Sequence, residues 1–429
     1  MTKSFLKNLI RGIKYFILWF FCSLVISGSI LLSADYPEKV RQYTHTIEFD
    51  YVEWTLQAMW MKIEQASLRV EEYLPASRPP EIVREYLKAD SQISQLKSQI
   101  AIIYADPQVT DKASAVLPLH SQLDKYEAYK SRLAPYAEST LQQQISEVLA
   151  ADQLTILGQP IPPVLYHSTP LPMALIVSPR ERIQQDANIS LLTEMTAGDM
   201  TTLEDQVMTN LDVSALVVPV GGVGIYPTMV MATSDLPYLA ETIAHEWTHN
   251  FLTLRPLGLN YETNSSLRTI NETVASIAGN EIGEQVLRKY YPELIPPDVE
   301  PARESSSTTA PALIVPDPFN YRQEMHTTRV QVDELLAKGK ISDAENYMEQ
   351  RRNLFWQNGY PIRRLNQAYF AFYGAYADTP GGASGKDPVG PVVRAFRQQS
   401  PSLVEFLEKI SMVTSFDQLK GMVRQLPEN

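Results

Sequence analysis

The sequence predicts a predominantly helical α+β protein. Three observations carry this: long stretches with apolar residues at three- and four-residue spacing, a middle section with short strand-like runs, and proline-rich breaks between them. At 429 residues the chain is long enough for two or three packed domains. Its 44% hydrophobic and 20% charged residues are ordinary for a globular protein. A formal net charge of −12 argues against a nucleic-acid partner, because phosphate binding needs a basic surface. The single cysteine, Cys22, excludes a disulfide within the chain.

The N-terminus reads as a targeting feature. Lys3, Lys7, Arg11 and Lys14 precede Tyr15–Leu32, an uncharged run of 18 residues. That length matches a helix across a hydrocarbon core of about 30 Å. The reading is a cytoplasmic N-terminus over 1–14 and a transmembrane anchor over 15–33, with the rest of the chain extracytoplasmic and membrane lipid as one partner. A cleaved signal peptide is the competing reading. The run exceeds the usual h-region of roughly 7–15 residues, and no A-x-A site follows it.

Residues 34–157 read as a helical region. Phe49, Val52, Leu56, Trp60 and Ile63 form one stripe, expected to pack into the core. Pro79–Pro80 begins a second helix, and further helices are expected near 113–132 and 135–153. From Gly158 the pattern changes. Strands are expected at Val164–Tyr166, Met173–Val177 and Ala215–Val218, a turn at Gly221–Gly224, and extended chain at Pro227–Ala232. The segment Tyr226–Ala232 is a candidate edge strand for pairing with a substrate backbone. Asp235 can cap the next helix, with Pro237 in its first turn. A proline-, serine- and threonine-rich loop is expected over 291–319, and a helical section over 320–429 broken near Pro380–Gly385.

His245–Glu246–Trp247–Thr248–His249 is an H-E-x-x-H motif. On a helix, residues four apart share a face, so both imidazoles can meet one cation. Catalytic zinc usually takes three protein ligands and a water, so a third ligand is required. Glu272, within Asn271–Glu272–Thr273–Val274–Ala275, follows at a distance that allows one helix to end at Arg255–Pro256 and Gly258 and another to start at Asn264–Ser265–Ser266. The expected centre is Zn2+ held by His245, His249 and Glu272, with Glu246 as general base. His45, His120 and His167 are expected to be unrelated to it. His326, Arg329, Tyr369 and Tyr373 are candidates to stabilise the oxyanion, with His326 and Tyr369 the chosen catalytic residues.

This arrangement resembles the gluzincin metallopeptidases, in which a glutamate on the next helix completes an H-E-x-x-H site. It is similar to a bacterial family of predicted zinc aminopeptidases in four places: HEWTH at 245–249, NETVAS at 271–276, the helix around Arg329–Leu336, and Leu365–Asn366–Gln367–Ala368. The resemblance covers roughly 210–420. It implies a zincin-like domain with a small mixed sheet, centred on 158–290, and a peptide or protein substrate. Ser276 stands where many gluzincins carry an aspartate that orients a histidine, and the G-A-M-E-N signature is absent. The expected activity is zinc-dependent hydrolysis of peptide bonds, as an aminopeptidase or an endopeptidase. The alternatives are a disabled zinc-binding structural or assembly protein at the membrane, and a non-peptidase metallohydrolase.

Overall fold

Strand alternation separates two faces of one sheet, and each face meets different helices. The computed structural model describes residues 36–67, 79–105, 111–261, 263–295, 319–374 and 387–423. The chain opens with helices α1 (Tyr36–Arg41), α2 (Tyr51–Ser67), α3 (Pro79–Ala105) and α4 (Lys112–Ala151). Strands β1 (Tyr166–Ser168), β2 (Met173–Pro179) and β3 (Ala187–Leu191) follow, then α5 (Ala197–Leu211), β4 (Val213–Pro219), β5 (Gly222–Val223) and β6 (Thr228–Val230). Helices α6 (Leu236–Leu252), α7 (Pro256–Leu259) and α8 (Ser265–Tyr290) come next. The rest is α9 (Tyr321–Ala337), α10 (Ile341–Gln357), α11 (Gln367–Tyr373), α12 (Val389–Gln399), α13 (Leu403–Ile410) and α14 (Phe416–Met422). This is a predominantly helical α+β fold with small sheets, as the sequence predicts.

The first sheet is antiparallel, in the order β3-β2-β4, with Leu175 opposite both Ile189 and Val217. Ala174, Ile176, Leu216 and Val218 face α9–α11, packing with Met325, Val332, Phe355 and Phe370. Leu175, Val177, Ile189 and Val217 face the other way, onto Val40 of α1 and Leu203 and Val207 of α5. The second sheet is mixed, in the order β1-β6-β5. Beneath it lies the largest core, where Tyr166 and Val230 meet Ile243 and Trp247 of α6, Ile270 and Val274 of α8, and Leu141 of α4.

Several expectations are corrected. The two helices near 113–132 and 135–153 are one, α4, with Pro118 and Pro135 inside it. Each proline removes one N–H donor, but packing against α3 carries the helix through. The segment expected as an edge strand supplies β6, which is central: β1 pairs on one side and β5 on the other, so both backbone edges are used. Of the stripe on α2, Val52, Leu56, Trp60 and Ile63 are 71%, 67%, 71% and 57% exposed, so they are not core. The opposite side of α2, with Ala58 and Lys62, is the buried one. Strand β3 and helix α5 are additional to the sequence reading. The expected anchor over 15–33, most of the loop over 291–319 and the break at Pro380–Gly385 lie outside the described residues. Among the described residues no helix is long and apolar enough to cross a membrane.

α2 is fixed by a buried charge cluster. Glu138 of α4, fully buried, accepts from Lys62 Nζ at 2.5 Å, His167 Nδ1 at 2.8 Å and the Ser168 amide at 3.1 Å. Burial raises the Glu138 pKa, but Lys62 and His167 overcome it and hold the carboxyl at about 2. Glu138→Ala would leave a buried, unpaired lysine. The expected loss in denaturant unfolding is about 3–5 kcal/mol at neutral pH, and adding Lys62→Met should recover part of it. Because the folded value lies below an unfolded one of about 4.3, the carboxylate's contribution is complete above that pH. The gap between wild type and Glu138→Ala should therefore narrow as the pH falls from there towards 2.

Candidate metal centre

Local sequence sets both helices that build the site. Asp235 caps α6, its carboxylate accepting from the Tyr238 amide at 3.1 Å, with Pro237 in the first turn. Asn264 caps α8, accepting from the Leu267 amide at 2.9 Å. α6 buries its motif face against α8, which is itself buried on nearly all sides. His245 and His249 lie one turn apart on α6, and Glu272 faces them from the second turn of α8.

Three ligand atoms converge. His245 Nε2 and His249 Nε2 are 3.0 Å apart, and Glu272 Oε2 lies 3.7 and 3.5 Å from them. A tetrahedral cation with bonds of about 2.0–2.2 Å holds its ligand atoms about 3.3–3.6 Å apart, close to this triangle. Glu272 Oε2 is buried and has no hydrogen-bond partner among the described residues, an arrangement that a cation would satisfy. The donor set, two imidazoles and a carboxylate, suits zinc.

The neighbours orient the ligands. Asn271 Oδ1 accepts from His249 Nδ1 at 2.8 Å. A carboxamide oxygen can only accept, so Nδ1 carries a proton and Nε2 is the nitrogen turned to the centre. The Tyr261 hydroxyl donates to Glu272 Oε1. Sequence reasoning missed both residues and left the histidine's partner open at Ser276. Asn271 fills that role from the other side of the glutamate.

Charge in the site is strongly biased. Burial opposes a proton on His249, but the Glu272 carboxylate overrides it and pushes the imidazole up to about 9. Burial and the His249 charge push His245 down to about 3. Burial would raise Glu272, yet His249 draws it down to about 2. The field that keeps a proton on His249 equally favours a cation between the three groups. Glu246 is different: burial raises its pKa to about 7. Its carboxylate lies against β5, where a Cβ on Gly222 would fall on it.

The centre opens into a cleft of about 700 Å³. Gly221–Ile225, Tyr238, Glu241 and Tyr373 are among the residues that line it. Of the four oxyanion candidates, Tyr373 lines the cleft; burial raises its pKa, so the hydroxyl keeps its proton. The other three are not among the residues that line the cleft. Tyr369 is buried in the α9–α11 core and its hydroxyl pairs with that of Tyr321 at 2.9 Å. Arg329 is held by Asp333 at 2.9 Å. His326 sits on α9 with its Nδ1 buried and without a hydrogen-bond partner among the described residues. His45, His120 and His167 are not part of the cluster.

No family model, curated protein or solved structure matches this chain. Asn271→Ala should weaken zinc binding about 10–100-fold, as loss of a histidine-orienting partner does. Competition with a chelator, read by metal content, measures it, and unchanged affinity would remove Asn271 from the site.

Proposed function

We propose that the protein is a zinc-dependent peptidase of zincin-like construction, held at a membrane by residues 15–33. The convergence of His245, His249 and Glu272 beside a buried Glu246, inside an open cleft, is the observation that supports it. A bound zinc ion would lower the pKa of water and polarise a scissile carbonyl. Glu246, with a pKa near 7, is suited to take a proton from the attacking water and return it to the leaving amine. β5, the edge strand of its sheet and part of the cleft wall, is where an extended peptide would pair, rather than β6. Tyr373, the one oxyanion candidate that lines the cleft, is the proposed donor to a developing oxyanion.

Glu246→Gln separates binding from chemistry. Glutamine keeps the size of the side chain but cannot take the proton. Zinc content should stay near wild type while hydrolysis of a peptide-library substrate falls about 10²–10⁴-fold. Wild-type turnover at full zinc occupancy would contradict the mechanism. The anchor is tested separately: the full chain should stay in the membrane after carbonate washing, and release into the soluble fraction would contradict it.

A further inference from the structure

The exposed stripe on α2 lacks a protein partner among the described residues, although α2 is firmly seated. Its inner side is held by the Lys62–Glu138 pair and by Trp54, whose indole lies 6.3 Å from the His167 ring in a stacked arrangement. The outer side presents Val52, Leu56, Trp60 and Ile63, each more than half exposed. These positions recur at four, four and three residues, which on a helix makes one continuous apolar strip. Scattered apolar residues on a surface need no explanation, but a continuous strip that includes a tryptophan does.

We propose that this face of α2 lies in the interface of a lipid bilayer. The inference rests on the membrane-anchor reading of residues 15–33. The apolar run ends at Leu32, and the described chain begins at Tyr36. Four residues of extended chain span at most about 14 Å, so the body of the protein starts close to the bilayer surface. α1 is packed beneath β3 through Val40, and α2 begins on the same strand: the Phe49 amide donates to Ser190 O at 3.0 Å, and the Tyr51 hydroxyl to Ser190 Oγ at 2.7 Å. Both helices after the apolar run are thus tied to β3. A tryptophan among aliphatic side chains is the residue type favoured at headgroup depth. The strip is bordered by exposed Glu53, Gln57 and Glu64 and carries no basic residue, so contact would be apolar and insensitive to salt. Tyr51 also lines the cleft, so this docking sets the cleft rim beside the lipid surface and favours substrates presented there.

The test uses the full chain in phosphatidylcholine vesicles. In a Cys22→Ser background, single cysteines replace Leu56, Trp60, Glu53 or Gln57 and carry an environment-sensitive fluorophore. Circular dichroism and zinc content confirm that each variant folds. Labels at 56 and 60 should emit as in an apolar medium, be quenched by doxyl lipids and be unchanged by salt. Labels at 53 and 57 should stay water-like. Water-like emission at 56 and 60 from protein that survives carbonate washing would overturn the proposal and leave the anchor intact. Apolar emission that doxyl lipids do not quench, with energy transfer between labelled copies, would overturn it in favour of self-association. Failure to remain with the vesicles would remove the anchor reading and this proposal together.

Discussion

Gly279 brings the backbone of α8 against α6: a Cβ there would lie 2.9 Å from both the Glu241 carbonyl oxygen and the Cβ of His245. That separation leaves no room for a side chain. Glu272, Ser276 and Gly279 follow one another at four and three residues, on one face of α8, so the carboxylate is aimed at α6 and the positions after it are small. A larger residue at 279 would push the helices apart and carry Glu272 away from the histidines. Ser276, between Glu272 and Gly279 on this face, also lines the cleft. A small side chain suits the crossing, and the orienting bond to His249 comes from Asn271.

The remaining parts of the fold hold this pair in place and open it on one side. The core under β1 and β6 fixes α6 through Ile243 and Trp247, whose indole donates to Pro162 O at 2.8 Å. β5 then passes over the motif so closely that Gly222 is needed beside Glu246. Burial of Glu246, to which this close strand contributes, raises its pKa. Met173 and Ala174 of β2, Asn188 and Ser190 of β3, and Phe372 and Tyr373 of α11 also line the cleft.

The metal-ligand candidates were legible because their geometry is local. His245 and His249 share a helix, and the caps at Asp235 and Asn264 mark where both site helices begin. Asn271 and Tyr261 were not legible, because each acts across a helix crossing or from a turn that periodicity does not describe. Strand β5 has only two residues, too few to show alternation. α5 did carry a signal, the capping box of Thr196 and Asp199, but its buried apolar stripe is thin. For α2 the spacing correctly marked an apolar face and could not say what covers it. His326, the one histidine downstream of the motif, and Tyr369 are absent from the cleft lining, and Tyr369 packs in the α9–α11 core.

The most direct measurement of the central claim is anomalous diffraction at the zinc edge from crystals of the zinc-loaded protein. The account predicts one strong peak at about 2.0–2.2 Å from His245 Nε2, His249 Nε2 and Glu272 Oε2, with a fourth position open to the cleft beside Glu246. A peak at other residues, a closed site without an open position, or no peak at these three atoms at full zinc loading would contradict it.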